Sequence, residues 1–194
     1  SLRAYGYTLD ARSEDSVKDI FARVEAEVGA LDLVICNVGG NVQFALRDTT
    51  ARVFRKVWEM ACFAGFLAGR EAANHMVPRG RGAIFLTGAS ASMRGTSGYA
   101  AFSAAKAGQR ALAQSMAKEL GPQNIHVAHL VIDAGVDTAF VRERIAQSGT
   151  NPDTLPADTL MNPQSVAEAY WHLYHQPRDG WTFEMDIRPY GEPW

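Results

Sequence analysis

Ala83-Ile-Phe-Leu-Thr87, then Tyr99–Leu120 (YAAFSAAKAGQRALAQSMAKEL), then Ile125-His-Val-Ala-His-Leu-Val-Ile132 follow one another with short connections. The two outer runs are apolar and of strand length, and Val and Ile dominate the last. The middle run is Ala-rich and strongly helical, and Gly121-Pro122 stops it. Unbroken apolar strands are buried on both faces. Two such strands joined by a helix pair in parallel through a right-handed crossover.

The same alternation extends in both directions. Upstream, Leu31–Cys36 (LDLVIC) reads as a buried strand running into the loop Asn37-Val38-Gly39-Gly40, and Thr50 to about Met76 reads as a long helix broken near Gly65. Further back, Ser13 opens a helix with Val17, Ile20, Phe21, Val24 and Val28 on one stripe, closed at Gly29. Leu2–Leu9 alternates weakly and reads as a first strand. Downstream lie a Gly-, Asp-, Thr- and Pro-rich loop over roughly 133–163, a helix over Pro163–His175 and a last strand over Trp181–Ile187. The order β-α-β-α-β-α-β-loop-α-β predicts a doubly wound, three-layer α/β sheet spanning 1–194 as one domain. In such sheets the ligand crevice lies beyond the carboxyl ends of the strands. The residues to weigh are Asp10, Asn37–Gly40, Gly88–Ser92 and Asp133–Thr138.

Composition narrows the function. Nineteen Lys+Arg against twenty-one Asp+Glu leave a net charge of −2, without the basic excess that nucleic acid or an anionic membrane requires. The most apolar stretch, Met60–Gly69, is about half the ~20 residues needed to cross a bilayer. Cys36 and Cys62 make neither a disulfide framework nor a zinc quartet, which points to a reducing cytoplasm. No metal site is expected: His172 and His175 lack a supporting carboxylate and read as a solvated face, and His126 and His129 face opposite sides of a strand.

Asp10, Cys36-Asn37-Val38-Gly39, Lys106 in the Ala-rich helix and the turn Asp133-Ala-Gly-Val-Asp-Thr138 together resemble the short-chain dehydrogenases/reductases over essentially the whole chain. The resemblance implies a Rossmann-like fold binding NAD or NADP and moving a hydride between nicotinamide and a carbonyl or alcohol. It implies that Asp10 contacts the adenine and that Asn37 and Gly39 brace the sheet beside the cofactor. It also implies that Val136 and Thr138 hold the carboxamide and that Lys106 hydrogen-bonds the nicotinamide ribose. Substrate specificity is implied in the loop at about 139–162. The long helices at 50–76 and 99–120 are implied to pair across a two-fold axis, with Ala100, Ala104, Ala107 and Ala111 permitting close approach in a homodimer or homotetramer.

Departures from the family pattern are equally informative. The family's Tyr, one helical turn before the Lys, falls on Phe102, which has no proton to exchange. Its Ser, thirteen residues earlier, falls on Ala89, and its Asn on Ala61. Of that tetrad only Lys106 is present. Tyr99 lies roughly 10 Å along the helix from Lys106. Ser90 is expected to point away from the face that Ala89 occupies, and Asp133, Asp137 and Arg94 are weak substitutes. The phosphate-cradling Gly loop is absent, and the resemblance begins at the family's third strand. Two βα units, roughly 60 residues, are therefore expected to precede this sequence as a fragment. Two readings follow: a diverged nicotinamide-dependent oxidoreductase, or a catalytically inactive dinucleotide-binding or scaffolding subunit.

Overall fold

The computed structural model describes residues 3–192. Four parallel strands, β1 (Leu33–Cys36), β2 (Gly82–Thr87), β3 (Ile125–Ile132) and β4 (Glu184–Ile187), form one sheet in the order β1-β2-β3-β4. The register runs Leu33 opposite Ala83, Gly82 opposite Ile125 and His129 opposite Glu184.

Strand periodicity sorts the core into two layers. Ile84 and Leu86 on β2 and Ile125 and Val127 on β3 face one way. There they meet Val17 and Phe21 of α1 (Glu14–Glu27), Leu67, Ala72 and Met76 of the long helix's second half, and Ala113 and Leu120 of the Ala-rich helix. Ala83, Phe85, Ala128 and Leu130 face the other way, onto Tyr170 and Leu173. This is the doubly wound, Rossmann-like arrangement the alternation predicts. β1 pairs on one side only among the described residues, and Ile35 on it is 40% exposed.

The long helix is α2 (Ala51–Trp58), a π-helical turn over Glu59–Phe63 and α3 (Ala64–Met76). The irregularity falls before Gly65 rather than at it. A Cβ on Gly65 would come 3.3 Å from Gln109 Nε2, so that glycine serves close packing and the helix continues through it. A four-residue helix, α4 (Ser90–Met93), follows β2, and α5 (Ala100–Leu120) is the Ala-rich helix.

Three expectations change. Residues 3–9 form no strand (Leu2, the start of that reading, lies outside the described residues), because among the described residues no partner strand offers a ladder. The segment instead lies on α1, where Tyr7 Oη donates to Glu27 at 3.0 Å. The loop over 133–163 contains α6 (Ala139–Gln147), whose Thr138 Oγ1 caps it by accepting from Val141 N. Both ends of this excursion are pinned, since Asp137 N donates to Met161 O and Met161 N to Gly135 O. The last strand starts at Glu184, because Trp181 turns aside to stack on His126 at 4.8 Å. The final helix, α7 (Pro163–Tyr174), matches expectation.

Candidate active site

The carboxyl ends of β1, β2 and β3 open into a crevice of about 480 Å3. Asn37–Asn41 follow β1, Thr87–Ala89 end β2, and Ile132, Ala134 and Val136 follow β3. Phe102 and Lys106 reach it from α5, and Phe140 reaches it from α6. A second cavity of about 250 Å3 adjoins it, sharing Asn41, Ala89, Phe102, Ile132 and Ala134 and adding Ser90, Thr96, Tyr99 and Ser103.

Lys106 is 5% exposed. Its Nζ donates to Thr87 O at 2.6 Å and to Gln109 Oε1 at 3.1 Å. Burial lowers its pKa to about 8, so the ammonium is still mostly charged at neutral pH. An ammonium has three donors, and these two bonds leave one for a ligand. The Phe102 ring, one turn earlier, has its centroid 5.9 Å from Nζ. Ala61 is fully buried on the π-helical turn, packed with Val57, Ala101 and Ala105.

Of the residues singled out in the sequence, Asn37, Gly39, Ala89, Phe102, Lys106 and Val136 come together around the crevice. Thr138 is not among the lining residues; its side chain caps α6. Asp10 is not among them. Its exposed carboxylate is held by Arg12, Nε at 2.9 Å and Nη2 at 2.7 Å, and those bonds keep its pKa at about 2.

Asp133, Ser90 and Arg94 also converge. Asp133 is 1% exposed, accepts a hydrogen bond from the Ser90 hydroxyl and is gripped by Arg94 Nη2 at 3.0 and 3.1 Å. Arg188 Nη1 lies 3.6 Å away and pairs also with Asp186. Burial raises the Asp133 pKa, but the bonds from Ser90 and Arg94 and the charge of Arg188 outweigh it, and the net shift is downward. Ser90 does not point away from Ala89 as strand alternation predicts, because the chain leaves β2 at Thr87 and turns into α4; both line the second cavity.

Sequence reading missed Gln109 and Phe140, and it named Gly88 only as part of the stretch after β2. The three-residue spacing from Lys106 is the signal for Gln109, 1% exposed on the same helix face. A Cβ on Gly88 would fall 2.4 Å from Nε2 of fully buried His129, whose Nδ1 bonds Glu184 at 3.0 Å. Phe140 stands in a segment read as loop. Among the described residues no group of three or more His, Cys, Asp or Glu is placed to hold a metal, and no helix is long and apolar enough to cross a membrane.

With this geometry the chain matches the short chain dehydrogenase family model over residues 1–149. A short-chain dehydrogenase from Rhodopseudomonas palustris is 52% identical, with a TM-score of 0.76, over 94% of this chain and 73% of that one. The cis-4-hydroxycyclohexanecarboxylate dehydrogenase of Sinomonas cyclohexanicum is 31% identical over 86% of this chain and 68% of its own length. ElxO with NADP bound shares the fold, with a TM-score of 0.83 at 20% identity, over 93% of this chain and 75% of that one. The chain belongs to the short-chain dehydrogenase/reductase family. It spans about half the length of other curated relatives: 48% of the 2-dehydro-3-deoxy-D-gluconate 5-dehydrogenase of Formosa agariphila, for instance, at 30% identity over 65% of this chain.

Proposed function

We propose that the protein is an NAD- or NADP-dependent oxidoreductase acting on a carbonyl or alcohol. One observation carries this reading: a buried, charged Lys106 at the floor of the crevice beyond the strand ends, with one N–H left for a ligand. The dinucleotide supplies the hydride when bound. Lys106 would hold the ribose beside it, Val136 and Thr138 would flank the carboxamide, and Asn37 and Gly39 would form the opposite wall. Asp10 would serve the adenine only after exchanging Arg12 for the ligand. Two of the relatives named above are dehydrogenases named for hydroxylated acids, and the ElxO structure carries NADP, which supports the class.

With Phe102 one turn before Lys106, that position offers no phenol proton to a carbonyl oxygen. A second reading therefore stands on Phe102: a subunit that binds dinucleotide and turns over slowly or not at all. Following NADH and NADPH oxidation against a panel of ketones and aldehydes separates the two. Turnover above the protein-free rate supports the oxidoreductase, and none with any acceptor supports the binding subunit.

The protein is also proposed to be a homodimer or homotetramer of a cytoplasmic compartment. Support comes from the exposed Ala104, Ala107 and Ala111 on α5, beside Phe54, Trp58 and Phe66, which are 37–41% exposed on α2 and α3. The two buried cysteines are free thiols, which suits a reducing compartment. Ala107→Arg places a charge on that face and is expected to halve the mass measured by light scattering after size exclusion; an unchanged dimer rules this interface out.

A further inference from the structure

The second cavity holds an unequal set of hydrogen-bonding groups. Asp133 is an ionised carboxylate between Arg94 and Arg188, and such a group only accepts. The one proton of Ser90 Oγ is therefore committed to it, and what Ser90 offers the cavity is lone pairs. On the same wall, Ser103 Oγ is buried without a hydrogen-bond partner among the described residues. Among the described residues no charged side chain lines the cavity: Asn41, Thr96 and Tyr99 complete its polar lining. Behind the wall, the charges of Asp133 and Asp186 are matched by Arg94 and Arg188.

We propose that Ser90, fixed by Asp133, is a specificity-determining hydrogen-bond acceptor, and that the substrate carries a second, neutral hydroxyl into this cavity; the proposal rests on the oxidoreductase reading. A carboxylate or ketone brings no proton to Ser90. An ammonium meets no net negative charge, since the carboxylate nearest to it is already neutralised. A hydroxyl both donates, as Ser90 requires, and accepts, as Ser103 allows, through a single oxygen, whereas an amide divides those roles between its N–H and its C=O. Ser90 is a positioning contact in this role, and Asp133, 1% exposed, acts through it.

The test compares trans-cyclohexane-1,2-diol with cyclohexanol by ligand-observed NMR titration of the wild type, Ser90→Ala and Ser90→Thr, with melting curves alongside. The diol is expected to bind the wild type about five- to tenfold more tightly, the worth of one net hydrogen bond. In Ser90→Ala the ratio is expected to fall to about one with cyclohexanol binding unchanged, and in Ser90→Thr it is expected to return. Equal binding of the two alcohols by the wild type, or a preference that survives in Ser90→Ala, overturns the proposal. The same samples supplied with NAD or NADP report separately on turnover. A diol preference without oxidation of either alcohol leaves the acceptor site standing, and the panel of ketones and aldehydes then decides the oxidoreductase reading.

Discussion

Phe102→Tyr is expected to raise kcat for carbonyl reduction by roughly 100-fold or more, the usual worth of a placed general acid. The ring already lines both cavities, one helical turn from Lys106, with its centroid 5.9 Å from Nζ. Adding the hydroxyl sets a phenol beside an ammonium, and the positive charge draws its pKa down from about 10 towards the working range. Ala89 still offers no side-chain donor to the substrate oxygen, so the gain is partial, and Phe102→Tyr with Ala89→Ser is expected to exceed it. The effect belongs in kcat rather than KM, because the new group acts on a proton in transit. Steady-state rates for wild type and variant with one ketone decide the matter. An unchanged kcat means that the groups around Phe102 do not form a reacting centre.

The largest loss of stability is expected from Asp133→Ala. It strips the acceptor from Ser90 and the counter-charge from Arg94 and Arg188. Breaking a buried pair by removing one partner costs about 3–5 kcal/mol. The lower end applies because Arg94 reaches solvent and Arg188 keeps Asp186. A loss of about 3 kcal/mol corresponds to a fall in Tm of roughly 6–12 °C for a chain of this size. The pH dependence has a definite sign. The folded-state pKa of Asp133 lies below its unfolded value, so its contribution is present above the unfolded pKa of about 3.9. That contribution is lost as pH falls through the lower folded value. Wild type and Asp133→Ala are therefore expected to differ fully at pH 6 and to converge in acid. A variant within 2 °C of wild type at pH 6 would show that the cluster contributes little.

How much of this was legible in the sequence depends on how local each signal is. The four parallel strands and the α5 crossover follow from apolar runs and stop signals, as with Ile125–Ile132 and Gly121-Pro122. Leu2–Leu9 misled because alternation specifies a face and not a partner, and among the described residues no neighbouring strand pairs with residues 3–9. Helix α6 was hidden because the charged run Arg142-Glu143-Arg144 separates Phe140-Val141 from Ile145 inside a Gly- and Pro-flanked segment. At the site, the place of Lys106 and Phe102 was readable from their spacing on one helix. The joining of Ser90 to Asp133, 43 residues apart, was not. It depends on the chain turning into α4 straight after β2, which strand periodicity cannot register.

The central claim is that the crevice over Lys106 holds a nicotinamide dinucleotide. Its most direct test is a titration of the purified protein with NADH and with NADPH, following nicotinamide fluorescence, repeated with Lys106→Met. The account predicts saturable binding of at least one dinucleotide and a tenfold or greater loss of affinity in the variant, which retains no donor at that position. Binding of neither dinucleotide, or equal binding by Lys106→Met, would contradict it.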